Sequence, residues 1–167
     1  MAITTEILKT YRAPRAALRR QLDGGPREDR ALVYVFAACL LVFLSTLPRL
    51  AREAHLNPEV PLDARIGGAL LGWVFIVPLA LYGIAAGSHL IARLLGGRGS
   101  WFGARLALFW AFLAISPLWL LHGLVAGFIG AGATLTAVSS LVTFGFLYIW
   151  GAGLMEAEGH GHAERQV

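Results

Sequence analysis

The stretch IGGALLGWVFIVPLALYGIAAGSHLIARLL, residues 66–95, runs for thirty residues with a single charge, Arg93. A water-soluble helix needs a polar face, and this segment cannot supply one. As a helix it would be about 45 Å long at 1.5 Å per residue. That exceeds the ~30 Å hydrocarbon core of a bilayer, so a spanning helix here must tilt, kink or emerge at one end. Pro78 offers the kink. About twenty residues from Ile66 reach Ala85, which puts His89 and Arg93 at the level of the headgroups.

The rest of the chain agrees. No Asp or Glu occurs between Asp63 and Glu156, and the only Lys or Arg there are Arg65, Arg93, Arg98 and Arg105. Hydrophobic residues make up 57 % of the 167 and charged residues 14 %, with mean hydropathy +0.65. Soluble domains are about half apolar and about a quarter charged. The chain is an integral membrane protein.

Four apolar runs set the expected architecture. The first is 31–47, bounded by Asp29-Arg30 and Pro48-Arg49. Residues 48–65, with three prolines, are expected as an irregular exposed loop. The second run is 66–95, and Gly96-Gly97-Arg98-Gly99-Ser100 then turns the chain ahead of the interfacial Trp101 and Phe102. The third, 104–130, is interrupted at Pro117, and the fourth is 134–155. Residues 156–167 are expected to be a polar, flexible tail. The fold class is therefore all-α: a polytopic transmembrane helical bundle of four spans, or five if Pro117 divides the third run. The third run's 27 residues are few for two crossings, which favours four.

Residues 1–30 form a basic segment in which Ile3, Ile7, Tyr11, Leu18 and Leu22 fall on one helical stripe. Pro14 kinks that helix and Gly24-Gly25-Pro26 ends it. An interfacial amphipathic helix is expected, with Arg12, Arg15, Arg19 and Arg20 reaching anionic lipid at the cytoplasmic face. Packing on the protein's own loops is the alternative. Thirty mostly polar residues make too long a leader for an ordinary signal peptide.

Charge gives the orientation. Seven Lys or Arg precede the first span, and Arg93, Arg98 and Arg105 lie in the second connection. With Arg165 of the tail, one side of a four-span chain carries eleven positive residues; Arg49, Arg52 and Arg65 give the other three. The positive-inside rule puts both termini in the cytoplasm. The pI of about 9.8 is thus topological and implies no nucleic-acid partner.

Few residues here invite chemistry. His89 and Arg93 share a helix face at i, i+4, but no acid, nucleophile or metal ligand accompanies them within the spans. The expectation is snorkelling towards lipid phosphate, with Arg98 and Trp101 as further anchors. His122 is expected to make an interhelical hydrogen bond, to Ser116 or to a threonine of the last span. His160 and His162 beside Glu156 and Glu158 lack the fixed geometry of a metal site. His55 and Glu59 are spaced i, i+4, but Pro58 breaks the helix they would need. The lone Cys39 excludes an internal disulfide. Catalytic, cofactor and metal residues are all expected to be none.

The glycine pairs Gly68/Gly72, Gly83/Gly87 and Gly123/Gly127 carry the small-xxx-small spacing that lets spans approach closely. They predict helix packing, inside the bundle or against a partner protein. Function is accordingly expected to be non-enzymatic: a scaffold, a membrane-organising protein or an accessory subunit of a larger membrane complex. The contrasting expectation is a small transporter or channel component lined by His89, Arg93 or His122.

The basic N-terminal segment is followed by SHLIARLLGGRGSW, residues 88–101, and GARLALFWAFLAISPLWLLHGL, residues 103–124. In this order they resemble bacterial members of the Yip family (Ypt/Rab-interacting integral membrane proteins), of the small alphaproteobacterial type, over roughly residues 27–158. For eukaryotic relatives the resemblance implies multi-pass proteins of the secretory pathway that bind prenylated small GTPases and shape membranes. This chain departs from that pattern in having four spans rather than five and no long acidic cytosolic domain. The family supplies no catalytic residues to carry over.

Overall fold

The computed structural model describes residues 3–160, and among these all regular structure is helical. A short N-terminal pair, α1 (Ile3–Arg12) and α2 (Pro14–Leu22), precedes the long helix α3 (Glu28–Leu56). Helices α4 (Leu62–Leu71) and α5 (Val77–Leu94) are joined through a π-helical turn, Gly72–Ile76. Then come α6 (Trp101–Ala114), α7 (Ser116–Phe128) and α8 (Ala133–His160).

Three continuous helical stretches are long and apolar enough to cross a membrane: Glu28–Leu56, Leu62–Leu94 and Ala133–Gly159. A fourth crossing exists if α6 and α7, bent by 44° at Ile115, count as one span. Each half is only 14 or 13 residues, about 20 Å, so neither crosses a ~30 Å core by itself. Pro117 cannot donate an amide to the preceding turn, which opens the helix there. The Tyr11 hydroxyl donates to the Ala114 carbonyl at this break, at 2.7 Å. A polar group freed in an apolar setting is thereby satisfied.

The first span runs past its expected end. Pro48 lies inside α3, where it leaves the Leu44 carbonyl without its usual donor. The Ser45 and Thr46 hydroxyls meanwhile donate back to the Val42 and Phe43 carbonyls. Beyond the proline, Arg49 and Glu53 pair at helical spacing, 2.8 Å apart. The loop expected over residues 48–65 therefore shrinks to a turn at 57–61, tied by Arg65 to the Asn57 and Val60 carbonyls. In the second span Pro78 acts one turn earlier than a simple kink. The Val77 amide donates to Gly72, five residues back, and the helix widens before the residue that lacks an N–H.

Helix α6 is the axis of the molecule. Apart from Arg105, which pairs with Glu28, it is apolar all round, and eleven of its residues, Gly103, Ala104 and Leu106 to Ala114, are buried. Its neighbours are α3, α5, α8 and the N-terminal pair. Trp110 meets Tyr34 at a ring separation of 5.1 Å, and Phe109 meets Tyr82 at 4.9 Å.

The N-terminal pair packs against this core. Ala17 and Leu18 are buried, and the Trp110 indole donates to the Thr10 hydroxyl at 3.1 Å. Arg19 pairs with Glu156 at 2.6 Å, Arg20 with Glu6 at 2.8 Å, and Arg15 reaches the Met155 sulfur at 3.3 Å. Arg20, then Lys9, hold the Glu6 carboxyl below its ordinary pKa. All four arginines expected among headgroups are exposed; Arg15 and Arg19 also reach Met155 and Glu156 of α8, and Arg20 reaches Glu6 of α1.

Candidate functional site

The most constrained polar cluster lies where α5, α6 and the end of α8 converge. α8 does not stop at residue 155 but continues helically to His160. It carries Glu158 back to the turn between α5 and α6. One carboxylate oxygen lies 2.7 Å from His89 Nδ1, and the other accepts from the Gly99 amide at 2.8 Å. His89 is only 1 % exposed, and its ring lies 4.5 Å from that of Trp101. Burial in place of snorkelling corrects the expectation for His89. Its partner is an acid 69 residues away, which satisfies it better than interfacial water and lets it be covered.

The turn is shaped around this carboxylate. Gly96 takes φ +93°, a left-handed conformation that glycine adopts without Cβ strain, and it closes α5. The Gly97 amide then donates to the Ala92 carbonyl at 2.8 Å. A Cβ at Gly97 would meet a Glu158 carboxylate oxygen at 2.7 Å, and one at Gly99 would meet the Ala157 carbonyl at 2.6 Å. The last turn of α8 is lodged in a hollow that side chains would fill. Ser100 accepts from the Gly103 amide at 3.0 Å and so caps α6.

Arg93 takes no part in the pair. Arg93 and Arg98 are exposed, and neither meets an acid among the described residues. Trp101 is 46 % exposed, one face on His89. The sequence reading missed Glu158 because MEAEGHGH reads as tail. Extending the helical spacing by one turn, from Leu154 to Glu158, would have put the acid on the face that Leu154 presents to α5.

His122 occupies a separate place. Its Nε2 lies 3.0 Å from the Ser139 hydroxyl, which itself donates to the Leu135 carbonyl; the imidazole is therefore the donor. An interhelical bond exists, but its partner is Ser139 of the last span and not Ser116 or a threonine. A cavity of about 270 Å3 adjoins it, lined also by Ser45, Thr46, Arg49, Trp73 and Trp119. His89 does not line this cavity, so His89, Arg93 and His122 do not form one path. Among the described residues no group of three His, Cys, Asp or Glu could hold a metal ion. His162 lies outside the described residues.

The glycine pairs divide. A Cβ on Gly123 would overlap the Ser45 carbonyl oxygen, and one on Gly127 would overlap Pro48. These two carry the closest helix contact in the protein, between α3 and α7. Gly68, Gly72, Gly83 and Gly87 have no atom within 4 Å of a Cβ. Contrary to one expectation, they bring no two helices of this chain together, because the second span lies at the periphery with only 17 % of its most apolar window buried.

Chemically, the cluster at Glu158 is a clamp. Both carboxylate oxygens are engaged and the imidazole is covered. A family model described as Yip1 domain matches residues 8–165. No curated protein and no solved structure matches the chain.

Proposed function

The chain belongs to the Yip1 domain family, and from that premise we propose that this membrane protein acts by association, as a scaffold or accessory subunit. The observation that carries the reading is the second span. The protein uses small-xxx-small spacing for backbone contact at Gly123 and Gly127, yet the same spacing at Gly68/Gly72 and Gly83/Gly87 meets nothing. Spans associate by close packing where small residues allow it, so a helix from another chain fits this surface.

The test is to purify the full chain from native membranes in mild detergent and compare Gly72→Leu and Gly83→Leu with wild type. Open space at both positions means the melting temperature should hold. Co-purification of companions, or self-association, should weaken by about 1–2 kcal/mol, roughly tenfold. Unchanged assembly in both variants would remove the basis for the reading.

Location in an inner membrane with both termini cytoplasmic is part of the same proposal, supported by the eleven-to-three distribution of positive residues. Cysteines placed by Gly159→Cys and Ala131→Cys, with Cys39 replaced by alanine, check it. In intact cells an impermeant thiol reagent should label the Ala131 position and spare the Gly159 position. The reverse pattern would mean either an inverted chain or a fifth crossing made by α6 and α7 separately, and Arg98→Cys, labelled only if the chain is inverted, tells the two apart.

A further inference from the structure

Between α5 and α8, beside the clamp, lies a cleft of about 490 Å3. Ile91, Leu95, Leu147, Trp150 and Leu154 give it apolar walls. Glu158 stands at its end, with both carboxylate oxygens already engaged by His89 and Gly99. The cleft follows α8 from Leu147 to Glu158, about 16 Å at 1.5 Å per residue. That is about half of a ~30 Å hydrocarbon core, the depth of one leaflet.

Two arginines adjoin residues at the Glu158 end of the cleft in sequence. Arg93 follows the lining residue Ala92, and Arg98 sits between Gly97, which lines the cleft, and Gly99, which holds Glu158. Both arginines are exposed, and neither has an acidic partner among the described residues. Glu158, the acid that lines that end, is already engaged by His89 and Gly99. An apolar slot one leaflet deep, with two exposed arginines next in sequence to residues that line its end, matches one class of molecule.

We propose that this cleft is a specific binding site for an anionic glycerophospholipid, one acyl chain lying between α5 and α8 and its phosphate meeting Arg93 and Arg98. Water has no partners along such walls, and acyl chains of the surrounding leaflet have the right length to fill them. Guanidinium groups pair with phosphate oxygens through charge-assisted hydrogen bonds. This site is independent of the small-residue surface of the second span, so either proposal can fail without the other.

The experiment uses the purified full chain in mild detergent, with phosphatidylglycerol and phosphatidylcholine of identical acyl chains added in turn and bound lipid counted by native mass spectrometry. One phosphatidylglycerol per chain should be retained at low salt, in preference to phosphatidylcholine by about fivefold for each arginine. Arg93→Ala with Arg98→Ala should abolish the preference while leaving some binding of both lipids. Gly151→Phe should reduce both, because Gly151 lines the cleft and has open space beside its Cα. A phosphatidylglycerol bearing a photoreactive acyl chain gives a second reading on unmutated protein, and its adducts should map to residues 88–95 and 147–155. Equal retention of the two lipids, unchanged binding by folded Gly151→Phe, or adducts scattered over all spans would each overturn the site. A companion protein's helix crosslinked into the cleft would also overturn it.

Discussion

Gly123→Leu should destabilise the protein by about 3 kcal/mol or more, at the upper end of what overpacking costs. The obstacle at Gly123 is the backbone of α3: a Cβ there would overlap the Ser45 carbonyl oxygen and lie 2.6 Å from its carbon. A flexible side chain could swing away, but a helix backbone can yield only by moving α3 and α7 apart. That separation removes many dispersion contacts together, since α3 and α7 form the most extensive helix pair in the bundle. Pro48, one turn further on, meets Gly127 in the same way, so Gly127→Leu should act in the same direction. For a chain of this size, the expected fall in melting temperature in detergent is about 10 °C. Gly72→Leu is the internal control, because its new side chain meets open space. Circular-dichroism melting of the three variants checks the claim. Wild-type melting of Gly123→Leu would mean that α3 and α7 are not in backbone contact.

These glycines illustrate what the sequence could and could not tell. Spacing alone marked three pairs as equally able to pack, because a local pattern does not say which helix faces lie inward. Only the tertiary arrangement separates Gly123 and Gly127, pressed against α3, from four glycines on a peripheral span. The four apolar runs were legible because hydrocarbon imposes a length and forbids charge along the whole segment. The ends of the helices were less so. Pro48 reads locally as a stop, yet paired charges at Arg49 and Glu53 continue α3 for another two turns. Similarly, Glu156 and Glu158 read as tail, although α8 carries both onto protein partners. Polarity marks where the membrane ends; it does not mark where the helix ends.

His89→Ala should also be costly, by about 3 kcal/mol, the upper end of what a buried group left without its hydrogen-bond partner costs. The change leaves one oxygen of the Glu158 carboxylate without its donor in a site where His89 is 1 % and the glutamate side chain 10 % exposed. It also removes the ring against Trp101 and leaves a void behind. Glu158→Ala should cost a similar amount, because it strips an acceptor from His89 and from the Gly99 amide together. If the clamp works as a unit, the double variant should be little worse than either single one, and the cycle should return a coupling of about 1–3 kcal/mol. His89→Gln, which keeps a donor at a similar reach, should recover part of the loss. Amide exchange at Gly99 gives a readout that general destabilisation does not mimic. It should quicken in Glu158→Ala under conditions where the amides of α3 remain protected. Additive costs in the double variant, with Gly99 exchange unaltered by loss of Glu158, would show that the contact seals nothing and that α8 is held to the α5–α6 turn by its apolar face alone.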